Sequence, residues 1–174
     1  MTTVWSVGHS TQPLDDFVRL LGAHGIERVA DVRAVPKSRR HPHFHTDALM
    51  ESLPNRGIAY SHLPRLGGWR RATAESPNGA WRNASFRGYA DYAMTDEFAD
   101  GLEELRALAS ESRTAMMCSE AVWWRCHRRL VADRLVVAGD QVLHILGPDG
   151  PSPHELTSFA VAGPEGDITY PEQP

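Results

Sequence analysis

The chain has 174 residues, a net charge of −4 and 41% apolar side chains, enough for one domain with its own core. It contains no run of about 18 apolar residues, so no membrane partner is expected, and MTTVWSVGHS lacks the basic and apolar regions of an export signal. Two cysteines without such a signal predict a cytoplasmic chain with reduced thiols rather than a disulfide framework.

Residues 4–7 (VWSV) read as a first strand, ended by Gly8-His9-Ser10. Pro13 opens a helix with Leu14, Phe17, Val18 and Leu21 at helical spacing, and Gly25 closes it. Residues 28–34 (RVADVRA) form a second strand stopped by Pro36. A short helix over 46–53 has Thr46 as its cap and ends at Pro54 and Gly57, and a third strand runs over 58–63. Residues 64–85 have no period and many turn formers, a long loop of the kind that carries function. Helices follow over 86–94 and 95–110, the second with Phe98, Leu102, Leu105 and Leu108 on one face. Thr114–Cys118 is a short buried strand, 124–138 a helix ended by Gly139, and 141–146 the last strand. From Gly147 the chain is rich in Pro, Gly and acids, which predicts a poorly ordered tail over 147–174 beside a single domain of 1–146.

Strands alternating with helices on short connections predict an α/β fold, a single three-layer domain with a mostly parallel sheet flanked by helices. Ligands of such sheets gather beyond the carboxyl ends of the strands. Here those ends carry Gly8, His9 and Ser10; Asp31 and Arg33; Cys118 and Glu120; and the neighbourhood of His144.

Charge is spread unevenly. Residues 28–90 hold 11 basic against 4 acidic residues, whereas 91–111 hold seven acids against Arg106 alone. A basic face suits a phosphate-bearing small molecule or a nucleic acid. Two solvated faces of opposite sign are the plainer reading.

Residues 116–129, MMCSEAVWWRCHRR, concentrate the chemistry. Cys118 and Glu120 stand at a strand end; Cys126 and His127 stand where a helix begins, with Arg125, Arg128 and Arg129 in its opening turns. Cations at a helix N-terminus oppose its dipole, so three arginines there suit an anion, or pairing with Glu120 or the acidic helix. Such a position favours a Cys126 thiolate, and a carboxylate near Cys118 can serve as general acid or base. Cys118, Cys126 and His127 also suit a metal, although C-x7-C-H is not a standard zinc spacing. The remaining reading is small buried side chains. Asp31 and Arg33, two apart, point to one side of their strand, either as an ion pair closing the sheet end or as a carboxylate beside an anion-reading guanidinium. The HPHFH tract, with His41, His43 and His45, reads as an exposed basic loop.

Counting removes some families. The arginine of a cysteine-phosphatase loop would fall on Trp124, and no G-x-x-x-x-G-K or G-x-G-x-x-G is present, which excludes ordinary P-loop and dinucleotide binding.

VGHST, DVRAVPKSRR, LGGWR, FRGYADYAM and MCSEAVWWRCHRRLVADRL together resemble domain-of-unknown-function family 488, a bacterial family, over about residues 4–146. The resemblance implies an α/β domain with a polar motif cluster at Gly8, His9, Ser10, Asp31, Arg33, Gly67, Gly68, Cys118, Glu120, Cys126, His127 and Arg128. It brings no reaction with it.

The expectation is therefore an enzyme acting on a phosphate-bearing substrate, a nucleotide or nucleic acid. Arg33, Arg128 and Arg129, with Gly8, His9 and Ser10, would hold the anion. Glu120 or Asp31 would move protons, and Cys118 or Cys126, beside His127, would attack or be oxidised. The alternatives are a non-catalytic nucleic-acid-binding module and a metal-binding protein using Cys118, Cys126 and His127. The sequence names no cofactor.

Overall fold

Val4, Val7, Val29, Ala30, Ala115, Met116 and Met117 are fully buried, so neighbouring residues on the same strands need cover on opposite faces. A computed structural model describes residues 1–174 and supplies both covers. The strands are β1 (Thr3–Gly8), β2 (Arg28–Asp31), β3 (Ala59–His62), β4 (Thr114–Cys118), β5 (Gln141–His144) and β6 (Ser152–Pro153). They form one sheet in the order β3-β2-β4-β1-β5-β6, parallel throughout except for β6.

Five helices flank the sheet: α1 (Leu14–Ala23), α2 (Thr46–Ser52), α3 (Ala84–Tyr92), α4 (Asp96–Glu111) and α5 (Arg128–Val137). Trp5, Val7, Val29 and Met117 pack against Phe17 and Leu21 of α1 and Leu49 of α2. On the other face Val4, Ala30 and Met116 meet Tyr89, Phe98, Leu105, Leu130 and Leu135 of α3, α4 and α5. The expected three-layer α/β domain is what forms. No helix is long and apolar enough to cross a membrane.

Local signals account for most boundaries. Asn83 caps α3 by accepting the Ser85 and Phe86 N–H groups, and Thr95 caps α4 through the Phe98 N–H. The helix expected over 124–138 is instead divided. Trp123–Arg125 is a single 3-10 turn, Cys126 is extended (φ −126°, ψ 151°), and α5 starts at Arg128. The break lets the Cys126 sulfur accept the Arg128 N–H at 3.5 Å, taking one of the free donors of the helix start.

Residues 147–174, which composition reads as poorly ordered, are packed on the domain. β6 pairs with β5, and β7 (Val161–Ala162) pairs with β8 (Ile168–Thr169). His154, Thr157, Ile168 and Tyr170 are buried. Their common anchor is Asp133 of α5, a fully buried carboxylate that accepts from His154 Nε2 (2.8 Å), the Thr157 N–H (3.0 Å) and the Tyr170 hydroxyl (2.7 Å). Buried polar groups demand such partners.

The chain leaves β1 toward β2 on one side of the sheet and leaves β4 toward β5 on the other. The two crossovers diverge between neighbouring strands. That divergence opens a crevice at the carboxyl ends of β1 and β4.

Candidate functional site

Gly8 lies level with Cys118 across the β1–β4 pair. The pairing continues past the strands: the His9 N–H donates to the Cys118 carbonyl at 2.9 Å and the Ser10 N–H to the Ser119 carbonyl at 3.0 Å. This draws the loop after β1 against the loop after β4. A Cβ on Gly8 would stand 1.8 Å from the Glu120 carbonyl oxygen, so only glycine permits the approach. Ser10, just beyond, holds a left-handed conformation at φ 52°.

Over these loops lies a cleft of about 640 Å³. Its wall includes His9, Ser10, Arg33, Lys37, Gly68, Trp69, Phe86 and Glu120, and Cys118, Cys126 and His127 line it together. Lys37, Arg33 and Arg125 are its Lys and Arg residues, and Glu120 is its one carboxylate. Trp69, 84% exposed and at φ 62°, stands on the lip.

The three residues of the floor converge. Cys118 comes from the end of β4, while Cys126 and His127 come from the turn before α5. The two sulfurs and one ring nitrogen of His127 all lie within 4.8 Å of one another. His127 Nδ1 is 3.6 Å from the Cys126 sulfur and 3.9 Å from that of Cys118. Its Nε2–H donates to the Val32 carbonyl at 2.7 Å, leaving the Nδ1 lone pair turned to the thiols. Tyr89 packs 5.0 Å from the ring, its own hydroxyl donating to the Leu66 carbonyl.

Arg128 is buried behind this group. It donates to Ser6 Oγ (2.9 Å), the Glu120 carbonyl (2.5 Å) and, through Nε–H, the Cys126 sulfur (3.4 Å), with no carboxylate among its partners. Burial raises the Cys126 thiol. The neighbouring Cys118 thiol, the Arg128 charge and the two Arg128 N–H groups outweigh burial and lower it. The Cys118 thiol moves up, first through the neighbouring Cys126 sulfur and then through burial. The pair thus keeps its more acidic sulfur at Cys126.

Asp31 and Arg33 form the closing ion pair. Arg33 Nε and Nη2 donate to the two Asp31 oxygens at 2.8 and 2.7 Å, and the Tyr60 hydroxyl donates to Asp31 at 2.5 Å. Asp31 is wholly buried and outside the cleft. Two further Arg33 donors go to the Phe44 carbonyl and to His9 Nε2, at 2.7 and 3.2 Å. His9 donates Nδ1–H to the Ser10 carbonyl and stacks on Phe44 at 4.0 Å. Burial, with the Arg33 charge adding to it, lowers its pKa to about 4, so the ring is uncharged at neutral pH.

Of the residues singled out in the sequence, His9, Ser10, Arg33, Gly68, Cys118, Glu120, Arg125, Cys126 and His127 line the cleft. Gly8 and Arg128 support it from behind. Arg129 lies elsewhere, donating to Thr157 and standing 5.0 Å over the Trp81 ring. His43 and His45 bond the Gln12 and Ser38 carbonyls separately, so HPHFH does not converge. Lys37, His41 and Phe86 were not singled out as site residues, and Lys37 is marked only by the quoted DVRAVPKSRR. Trp69, beside Arg70 and Arg71, is of the type that interleaves aromatic faces with guanidinium groups and can stack bases.

Residues 13–135 match the family model described as Domain of unknown function DUF488. The matched span includes both cysteines and His127 and begins after Gly8, His9 and Ser10. No curated protein and no solved structure matches the chain.

Proposed function

We propose, for a chain that belongs to the domain of unknown function DUF488 family, that the cleft is the reaction site of an enzyme acting on a phosphate-bearing substrate, a nucleotide or nucleic acid. One observation carries the reading: the Cys118, Cys126 and His127 group opens into a cleft whose charges not already paired with a carboxylate are Lys37 and Arg125 against Glu120, Arg33 being paired with Asp31. Low-dielectric walls focus a like-signed field and favour an anion between them. Trp69 and Phe86 add apolar faces on which a base can stack.

In this reading Arg125 and Lys37 hold the phosphate, because Arg128 and Arg129 are committed elsewhere. Glu120, exposed on the cleft wall, moves protons. The cysteine and histidine group is the chemical centre. The two free thiols fit a reducing cytoplasm.

Binding of a fluorescent nucleoside triphosphate and of a short labelled oligonucleotide at low salt tests it. Reversing the rim charges with Lys37→Glu and Arg125→Glu together should weaken binding by about 10–100-fold, the scale of one or two lost charge-assisted hydrogen bonds. Equal binding by the double variant, or none by the natural protein, would end this reading. Binding that weakens with salt but ignores both substitutions would favour a non-catalytic nucleic-acid module on the wider 28–90 surface.

A further inference from the structure

We infer that Cys118 Sγ, Cys126 Sγ and His127 Nδ1 are three ligands of one zinc ion whose fourth position faces the cleft. This deepens the proposed reaction site, and it rests on that reading only for what occupies the fourth position.

The distances carry the inference. Zinc bonds of about 2.3 Å to sulfur and about 2.0–2.1 Å to nitrogen, opened at a tetrahedral angle, place sulfur and nitrogen about 3.5–3.6 Å apart. The two separations here are 3.6 and 3.9 Å, and no pair of the three ligand atoms is more than 4.8 Å apart. Two sulfurs and an imidazole nitrogen already stand near the corners of one tetrahedral face, and two thiolates with one imidazole are a donor set that suits zinc.

The surrounding bonds fit the same reading. A metal-bound histidine usually donates its other ring N–H to a carbonyl or carboxylate, which fixes the tautomer. His127 does so through Nε2–H to Val32 at 2.7 Å. The Cys126 sulfur accepts two N–H groups from Arg128, as an anionic sulfur would. Gly68 keeps the approach clear: a Cβ there would lie 3.3 Å from Nδ1.

Two features speak for an open fourth position. No other His, Cys, Asp or Glu joins the group, and all three members line the cleft. Structural zinc sites close with four protein ligands, whereas catalytic ones keep three and leave room for solvent or substrate. Charge points the same way. Two thiolates cancel the cation, and the buried Arg128, which has no carboxylate partner, then favours an anionic fourth ligand such as a phosphate oxygen.

Zinc itself is the probe. The full chain, stripped by chelator under reducing conditions, is titrated with zinc against a chromophoric competitor, and thiol alkylation is followed in parallel. About one zinc per chain is expected, with both thiols protected, and cobalt in its place should give the sulfur-to-cobalt charge-transfer band of a tetrahedral thiolate site. Cys118→Ser, Cys126→Ser and His127→Gln should each lower zinc affinity by more than the 10–100-fold typical of outer-shell losses. The cobalt spectrum of the natural protein carries the test even where a variant does not fold. No zinc uptake, with thiols alkylated equally fast in its presence and absence, overturns the site. Zinc uptake combined with nucleotide binding that ignores Lys37 and Arg125 supports the metal site and rejects only the phosphate reading.

Discussion

Gly8 is where a single atom decides the geometry of the cleft. Substitution Gly8→Ala places a methyl group 1.8 Å from the Glu120 carbonyl oxygen and 2.9 Å from the Ala121 Cα, so the loops after β1 and β4 must part. The Glu120 carbonyl also accepts from Arg128, so the shift reaches the support behind Cys126. Overpacking of this kind destabilises by about 1–3 kcal/mol. The urea midpoint of Gly8→Ala should fall accordingly, and an unchanged midpoint would contradict the packing described. Much at this scale was legible. The two-residue spacing of Asp31 and Arg33 put them on one side, and their pairing is one of the outcomes that spacing allows. The destination of Arg129 was not legible, because its partners Thr157 and Trp81 are far away in sequence. Ser10 and Trp69, the two non-glycine residues with positive φ, both border the cleft, where sequence gives no hint of left-handed backbone.

Among elements, α5 does more than cover the sheet. Its Asp133 gathers His154, Thr157 and Tyr170, and Tyr170 in turn exchanges backbone bonds with the long loop, accepting from Ala80 and donating to the Asn78 side chain. Removing the carboxylate leaves three buried donors without an acceptor, each worth about 1–3 kcal/mol. Asp133→Ala should therefore lose about 3 kcal/mol or more, and limited proteolysis should cut first within 147–174. Cleavage unchanged in place and rate would remove Asp133 as the anchor. The strands and helices with clear period fell where the sequence put them, β4 to the residue and the other strands and helices within a few residues, apart from the divided 124–138 segment. The tail did not, for a physical reason. Its strands are two residues long, too short for any period, and its buried anchors are isolated side chains held by a carboxylate on another element. The break at Cys126 was hidden similarly, since Trp-Arg-Cys-His-Arg reads as continuous helix until the sulfur's partner is known.

Across the whole molecule, a row of buried polar rings joins sheet, helix and tail. His144 of β5 and His154, just after β6, lie with ring nitrogens 2.9 Å apart, His154 continues to Asp133, and His144 stacks on Trp123 at 4.2 Å. Burial, then the neighbouring His154 and the Arg128 charge, lower the His144 pKa to about 3. An unfolded histidine titrates near about 6.5, so between these values the unfolded chain holds the extra proton. This contribution to stability is full above about pH 6.5 and declines as the pH falls toward 3. Between pH 7 and pH 5 the loss from this group should be about 2 kcal/mol by urea unfolding. His144→Phe, which keeps a ring against Trp123, should show a correspondingly flatter profile, and an equally steep one would assign the acid sensitivity elsewhere.

The place of β1 in the sheet has a consequence for how the chain reaches this state. It precedes the other strands of its sheet in the sequence, yet it is hydrogen-bonded only to β4 and β5, whose residues begin at Thr114 and Gln141. Until more than a hundred further residues have emerged, its two apolar faces have no strand beside them. Pairings so distant in sequence make closure slow and leave collapsed intermediates exposed to aggregation. An early strand of this sheet is thus enclosed late, and the loop it carries, His9 and Ser10, meets Cys118 only after more than a hundred intervening residues are in place.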